Sequence, residues 1–445
     1  MHNFTLDYIQ LRNFKMFEHL VVDLEPDLTI LVGDNGSGKS TILDAARIAI
    51  ASFFIKLETN SSVSITKSDA TNVAHDYDGE VRVESLYPVS VEAVGRINNE
   101  GITWERSLKT PKGKPTRTNA SSVMQISDNW QQSIREGDSD LVLPIFAYYG
   151  TNRLWKAANT SARGKIEGQG RLAGYDNCLD ACIDYELMRS WFKRQAFSEF
   201  QRKAPSRDYR IVKKMLASTL STLIGCTNAT VGFDAEQNDI CVSYTSTDIP
   251  HIGADSAFHY EPVTSMSDGY RDVFVLLADI AFRMTLLNPV LGDDVLRETP
   301  GIVLIDELDL HLHPKWQSMI VSVLTEAFPN VQFIATTHSP IVLSSVQRRN
   351  LRLLDDSQLF MAPRETFGND VASVLQSVMD TGDRIPEIAS LFSEARSFLD
   401  DAKLDNARNI IEQLEAIVGD EDTDLKALKL SLSLAELEES CDDLD

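Results

Sequence analysis

Gly33-Asp34-Asn35-Gly36-Ser37-Gly38-Lys39-Ser40-Thr41 decides the fold. It follows an apolar run, Leu28–Val32, and precedes a segment with Ile42, Leu43, Ala46 and Ile50 at helical spacing, from Lys39 to about Phe54. A GxxxxGK[ST] sequence between a buried strand and a helix is a phosphate-binding loop. The glycines let backbone N–H groups turn inward around phosphate oxygens, and the helix N-terminus adds its partial positive charge. Asn35, Gly36, Ser37, Gly38, Lys39, Ser40 and Thr41 are the expected nucleotide contacts. Lys39 is placed to reach the β- and γ-phosphates, and the Ser40 hydroxyl to ligate Mg²⁺.

Working outward, Ile302-Val303-Leu304-Ile305-Asp306-Glu307 reads as a strand buried on both faces that delivers two carboxylates at its C-terminal edge. Asp306 is the expected Mg²⁺ residue, acting through water, and Glu307 the group that polarises the attacking water. Ser265-Met266-Ser267-Asp268-Gly269-Tyr270-Arg271 opens a further helix. Ser267 and Asp268 have the composition of a helix N-cap. Their other reading, with Gly269, is a set of hydroxyl and backbone donors for a γ-phosphate. Ala335-Thr336-Thr337-His338-Ser339-Pro340 ends the next strand, where His338 is a candidate γ-phosphate sensor.

The rest of the chain fits around these motifs. Thr5–Leu11 and His19–Leu24 read as strands, Glu58–Asp78 as loop, and Val81–Ser85, Val89–Ile97 and Ile102–Leu108 as antiparallel strands. Leu141–Tyr149 is an apolar strand. A helical insertion spans about 151–228, with helices at Leu179–Phe200 and Ile211–Ile224. Strand patterns return at Ala229–Phe233 and Ile240–Tyr244. Helix Asp268–Met284, strand Ile302–Ile305, helix Pro314–Ala327 and strand Val331–Ala335 then alternate, which implies a parallel core. Beyond Gly368 the pattern is helical throughout: Ile388 to Leu399, Leu404 to Val418, and Asp424 to Glu439. The fold class is therefore α/β, a mixed sheet around a phosphate-loop core, with residues 1–370 as a head and 371–445 as an all-α unit.

The formal net charge of −24 excludes a surface coated in nucleic-acid contacts. The charge is uneven. Residues 401–445 carry 14 acidic against 4 basic side chains, whereas Lys193–Lys214 holds eight basic residues against Glu199 and Asp208. That basic stretch is either a DNA-contacting segment or a solvated helix face. No run of eighteen apolar residues occurs, so neither membrane insertion nor export is indicated and a cytoplasmic setting is expected. The five cysteines (178, 182, 226, 241 and 441) show no zinc-site spacing and read as reduced.

The four motifs, in this order, resemble the ABC ATPase superfamily, and within it the RecF/SMC/OLD-like branch of soluble ATPases. Asp309-Leu310-His311-Leu312-His313-Pro314 looks like that branch's D-loop region. The resemblance covers roughly residues 1–370. It implies ATP and Mg²⁺ as cofactors, and a homodimer of heads in which the signature of one protomer closes on the phosphate loop of the other. There is one departure: Tyr148-Tyr149-Gly150-Thr151-Asn152-Arg153 contains no Q-loop glutamine. Arg153, Arg12 and Lys15 are candidate auxiliary phosphate or adenine contacts.

Narrower similarities lie in Arg153-Leu154-Trp155, Arg171-Leu172-Ala173-Gly174-Tyr175, Trp191-Phe192, Leu287-Asn288-Pro289 and Phe367-Gly368-Asn369-Asp370. These resemble the ATPase group that includes PtuA of Septu-type anti-phage systems. That resemblance implies a higher homo-oligomer, such as a hexamer, working beside a separately encoded HNH nuclease. This chain shows no HNH spacing and no Toprim-like acidic array, so its acidic C-terminus is the candidate docking region for the nuclease. Two other readings stay open: the ATPase scaffold of a toxin-sequestering, PARIS-like defence module, and a RecF-like repair ATPase.

Overall fold

Leu28 to Val32 are all buried, and a run with no exposed side chain needs cover on both faces. The computed structural model describes residues 4–59, 61, 63–77, 80–154, 170–246, 257–379 and 384–442. Its strands are β1 (Phe4–Phe14), β2 (Phe17–Asp23), β3 (Leu28–Gly33), β4 (Asn72–Tyr77), β5 (Glu80–Ser85), β6 (Val89–Ile97), β7 (Glu100–Leu108) and β8 (Ile145–Tyr149). Then come β9 (Thr227–Asp234), β10 (Asp239–Ser246), β11 (Ala257–Pro262), β12 (Gly301–Ile305), β13 (Val331–Thr336), β14 (Leu351–Asp355) and β15 (Gln358–Met361).

A six-stranded sheet runs β15-β14-β3-β13-β12-β8, parallel except for the edge strand β15. Its register positions the site. Ile305 lies opposite both Tyr149 and Ala335, and Thr336 opposite Leu31. The chain therefore leaves β3, β8, β12 and β13 at one edge, where parallel sheets bind ligands.

The helices of the first part are α1 (Lys39–Ile50), α2 (Ser121–Glu136), α3 (Tyr185–Arg202), α4 (Arg207–Ile224) and α5 (Asp268–Leu287). Four short ones follow: α6 (Val295–Glu298), α7 (Pro314–Gln317), α8 (Ile320–Ala327) and α9 (Pro340–Ser344). α1 buries Ile42, Leu43, Ala45, Ala46 and Ala49. α5 is buried along almost its whole length, so it is a core helix rather than a surface one. An antiparallel sheet, β2-β1-β6-β7, contributes to an aromatic cluster in which Phe53 stacks on Trp130 and meets Phe4, Trp104 and Phe146. The small sheet β11-β10-β9 packs with α3 and α4.

The chain divides into two compact units, Met1–Asn369 and Asp370–Asp445. The second holds α10 (Val371–Val378), α11 (Pro386–Asp400), α12 (Leu404–Val418) and α13 (Thr423–Asp442). Its core is Phe392, Ala395, Ala407, Ile411, Leu414, Leu425, Leu428 and Leu432.

Several expectations are corrected. Glu58–Asp78 is not all loop, because β4 lies within it and pairs with β5. Its side chains are almost all exposed, so no alternation marks it. α3 begins at Tyr185 rather than Leu179, since the Asp184 side chain accepts the Leu187 N–H and caps the helix there. Ser206 caps α4 in the same way, so the helix begins at Arg207, four residues before the expected start. The helix expected over Pro314–Ala327 breaks between Gln317 and Ile320. Trp155, Asp78 and part of the expected insertion at 151–228 lie outside the described residues.

Candidate nucleotide-binding site

The loop after β3 is shaped by its glycines. Gly38 sits at φ +108°, and a Cβ there would come within 2.5 Å of the Phe17 ring. Only glycine fits both the backbone and the space. Lys39 follows at the start of α1, 6% exposed. Its Nζ donates to the carbonyls of Gly33 and Asp34, each at 2.7 Å. Burial lowers the Lys39 pKa, opposed chiefly by the charge of Asp306. The Ser37 Oγ is buried with no hydrogen-bond partner among the described residues. An ammonium folded over the mouth of its own loop, beside an unsatisfied hydroxyl, suits an incoming anion. Asn35 is exposed on the loop, and Thr41 lies in the first turn of α1.

β12 brings the carboxylates to this loop. Asp306 is 5% exposed and accepts from Ser40 Oγ at 3.1 Å and Thr336 Oγ1 at 2.7 Å. Glu307 follows with φ +49°, a left-handed conformation unusual for a non-glycine residue. Its N–H donates to Thr336 Oγ1 at 2.7 Å. Thr336 thus ties together both acidic residues; sequence reading passed over it because its neighbour His338 drew the assignment.

Oxygen donors suit a hard cation. Ser40 Oγ and Asp306 would hold Mg²⁺ together with phosphate oxygens and water, and the ion would neutralise charge developing on the phosphoryl group. No group of three or more His, Cys, Asp or Glu side chains able to hold a metal occurs among the described residues. The residues present fit ATP with Mg²⁺.

Ser267 takes the N-cap position of α5, yet its side chain caps nothing, and it is exposed. The bare N-cap reading therefore leaves its hydroxyl unexplained. Asp268 pairs with Arg271 at 2.6 Å. A Cβ on Gly269 would lie 2.5 Å from the His311 carbonyl oxygen, so the turn that opens α5 rests on the backbone of the Asp309–Pro314 segment. Tyr270 meets Trp316 edge-on, with centroids 4.1 Å apart. Asp309 accepts from Thr337 Oγ1 at 2.5 Å and from the His338 N–H at 3.3 Å, which places His338 beside the same segment. Lys39, Ser40 and Asp306 are brought together; among the described residues, no hydrogen bond or ion pair joins 267–269 to the phosphate loop.

Two auxiliary candidates are corrected. Arg153 is 1% exposed and cannot reach out to a phosphate. Its guanidinium pairs with Asp272 and donates to the carbonyls of Asp306 and Glu307. Lys15 is held by Asp44. Much of the basic stretch is also engaged: Arg210 pairs with Asp293, Arg207 donates to Pro289 O, and Lys193 to Asn238. Arg202, Lys203 and Lys214 are exposed. Among the described residues no helix is long and apolar enough to cross a membrane. Burial pushes the Cys178 thiol up to about 12, which makes it inert at neutral pH.

The chain is similar to several known proteins. A family model described as "AAA domain" matches residues 8–204, and a second, "AAA domain, putative AbiEii toxin, Type IV TA system", matches residues 256–344. The chain is 27% identical to the "Retron Ec83 probable ATPase" of Escherichia coli over 486 residues, covering 95% of this chain and 86% of that protein. It is 48% identical to the "Septu protein PtuA" of Bacillus mycoides over 84 residues, 19% of this chain and 11% of that one. Among solved structures, the SMC head domain from Thermotoga maritima matches at 17% identity and a TM-score of 0.40, covering 81% of this chain and 99% of that one. With its phosphate loop and acidic strand joined at one sheet edge, the chain is an ATP-hydrolysing enzyme that matches two AAA-domain models and is similar to the retron and Septu PtuA ATPases.

Proposed function

We propose that this chain is the ATPase subunit of a cytoplasmic anti-phage defence complex, in which pairs of heads close over ATP and thereby control a separately encoded HNH nuclease acting on DNA. The defence setting follows the similarity to Septu PtuA and retron ATPases. The observation that carries the paired-head reading is Ser267. Its exposed hydroxyl opens α5 but caps nothing, as a donor kept for another molecule's γ-phosphate would. A phosphoryl group held by one head alone faces water on its open side, whereas transition-state charge calls for donors all round. In this reading Lys39, Ser40, Asp306, Glu307 and His338 come from one head. Ser267, Asp268 and Gly269 come from the other.

Residues 1–370 act as the head and 371–445 as the docking region. Within the C-terminal unit, α13 buries Leu425, Leu428 and Leu432 while Leu430 and Leu434 stand 63% and 54% exposed. A helix apolar on two sides suits a partner. Deleting residues 371–445 should abolish co-purification with the nuclease and leave ATP binding intact; retained co-purification would defeat the docking assignment. The assembly would be a higher homo-oligomer, such as a hexamer, built from head pairs.

Phe197 and Phe200 are exposed on α3 beside Arg202 and Lys203, and exposed aromatics among cations suit a nucleic-acid strand. Charge reversal at Arg202, Lys203 and Lys214 should weaken DNA binding and flatten its salt dependence. Unchanged affinity would reduce the segment to a solvated face.

A further inference from the structure

Glu307 takes a left-handed backbone without being glycine. Such a conformation persists only where neighbours over-determine it. Thr336 holds its N–H. The carbonyl side is held by a residue more than 150 positions away in sequence: Arg153 Nη1 donates to Asp306 O at 2.7 Å and Nη2 to Glu307 O at 3.2 Å. The rest of the fork is anchored on Asp272, with Nε–Oδ1 2.7 Å and Nη2–Oδ2 2.5 Å. Arg153 and Asp272 are 1% and 2% exposed, so these bonds are made away from bulk water.

We infer that Arg153 is a positioning residue for hydrolysis: it clamps the peptide groups of Asp306 and Glu307 and ties them to α5, the helix opened by Ser267. The inference rests on the reading of Glu307 as the water-polarising group. Arg153 occupies the turn after β8, the segment in which no Q-loop glutamine is found. Its hydrogen bonds go to Asp272 and to backbone carbonyls. It acts by fixing where the Glu307 carboxylate starts from, and by making the acidic pair and the signature helix of one protomer move together. A planar fork serves two carbonyls and a carboxylate at once. A lysine offers a point charge that cannot span all three.

The test uses the full-length chain and separates binding from turnover. Arg153→Lys should bind a fluorescent ATP analogue within about threefold of the parent, yet lose about 100-fold in kcat, the scale expected for a misplaced catalytic group. Asp272→Asn leaves one acceptor for the fork and sets an amide NH₂ against the other guanidinium nitrogen, so the clamp loosens without being lost and kcat should fall by about tenfold, less than in Arg153→Lys. If burial of an unpaired charge prevents folding, the double variant Arg153→Met with Asp272→Leu removes the pair as a unit, a replacement that buried ion pairs often tolerate. It should fold, bind nucleotide and remain slow.

Parent-like kcat in Arg153→Lys or in the double variant would overturn the inference. So would an affinity loss that parallels the kcat loss. Glu307→Gln is the control. If it hydrolyses normally, the reading of Glu307 fails; if it is inactive while Arg153→Lys is normal, only the role of Arg153 falls.

Discussion

Ser40 Oγ donates to Asp306 Oδ1 across 3.1 Å, although 266 residues separate them in the chain. The two groups that would share Mg²⁺ are therefore already in register through the order β3-β13-β12. Thr336, on the strand between them, holds the same carboxylate oxygen at 2.7 Å. A preassembled pair spares the nucleotide the entropy of gathering its own ligands.

Replacing Lys39 with alanine removes charge-assisted hydrogen bonds to phosphate, each worth about 1.5–3 kcal/mol. Affinity for ATP should fall by tens to several hundredfold in a fluorescence titration. An unchanged affinity would mean that nucleotide binds elsewhere.

Glu307→Gln keeps the side chain's size but removes the base. It should bind ATP normally, lose at least about 100-fold in turnover and accumulate as paired heads whose mass by light scattering rises only with ATP. Normal turnover would dismiss Glu307 as the general base.

Gly269→Ala would push a methyl to 2.5 Å from the His311 carbonyl oxygen. Backbone on both sides leaves little room to yield, so a cost of about 1–3 kcal/mol is expected. It should be seen as a lower melting temperature together with impaired hydrolysis. A silent substitution would show that the turn opening α5 does not bear on the His311–Leu312 backbone.

Asp27 sets the entry to β3. Burial raises its pKa, but hydrogen bonds from Arg349 and the Leu28 N–H, with the Arg349 charge, outweigh that and leave it below 3.8. A depressed carboxyl stabilises the fold above its unfolded value, and the contribution is lost as pH falls through the folded value. Asp27→Asn should therefore lower the melting temperature at neutral pH, with the gap to the parent narrowing as the pH falls below 3.8. A gap independent of pH would contradict this.

The phosphate loop and the Asp306–Glu307 strand were legible because each joins an unbroken apolar run to a polar turn of fixed composition. The C-terminal helices were legible from their spacing alone, since Phe392, Ala395, Ala407, Ile411 and Leu414 keep one buried face. α2 escaped notice because Ser127 and Gln131 share its buried side with Val123 and Trp130, which blurs the period. In β14 a buried Arg352 interrupts the apolar run, its guanidinium satisfied by Glu25 and the Asp23 carbonyl, far away in sequence. Arg153 was misassigned for the same reason. Its basic character was visible, but its partners Asp272, Asp306 and Glu307 lie more than a hundred residues away, and no local pattern reports them.

Mixing two inactive variants tests the shared site directly. Lys39→Ala lacks the phosphate grip and Ser267→Arg blocks the opposing donor, so each alone should fail to hydrolyse ATP. Mixed in equal amounts, they form hetero pairs containing one intact combination of Lys39 and Ser267, and phosphate release should return to a measurable fraction of the parent rate. A mixture as inactive as its components, with hetero pairs demonstrated by differential tagging, would contradict it.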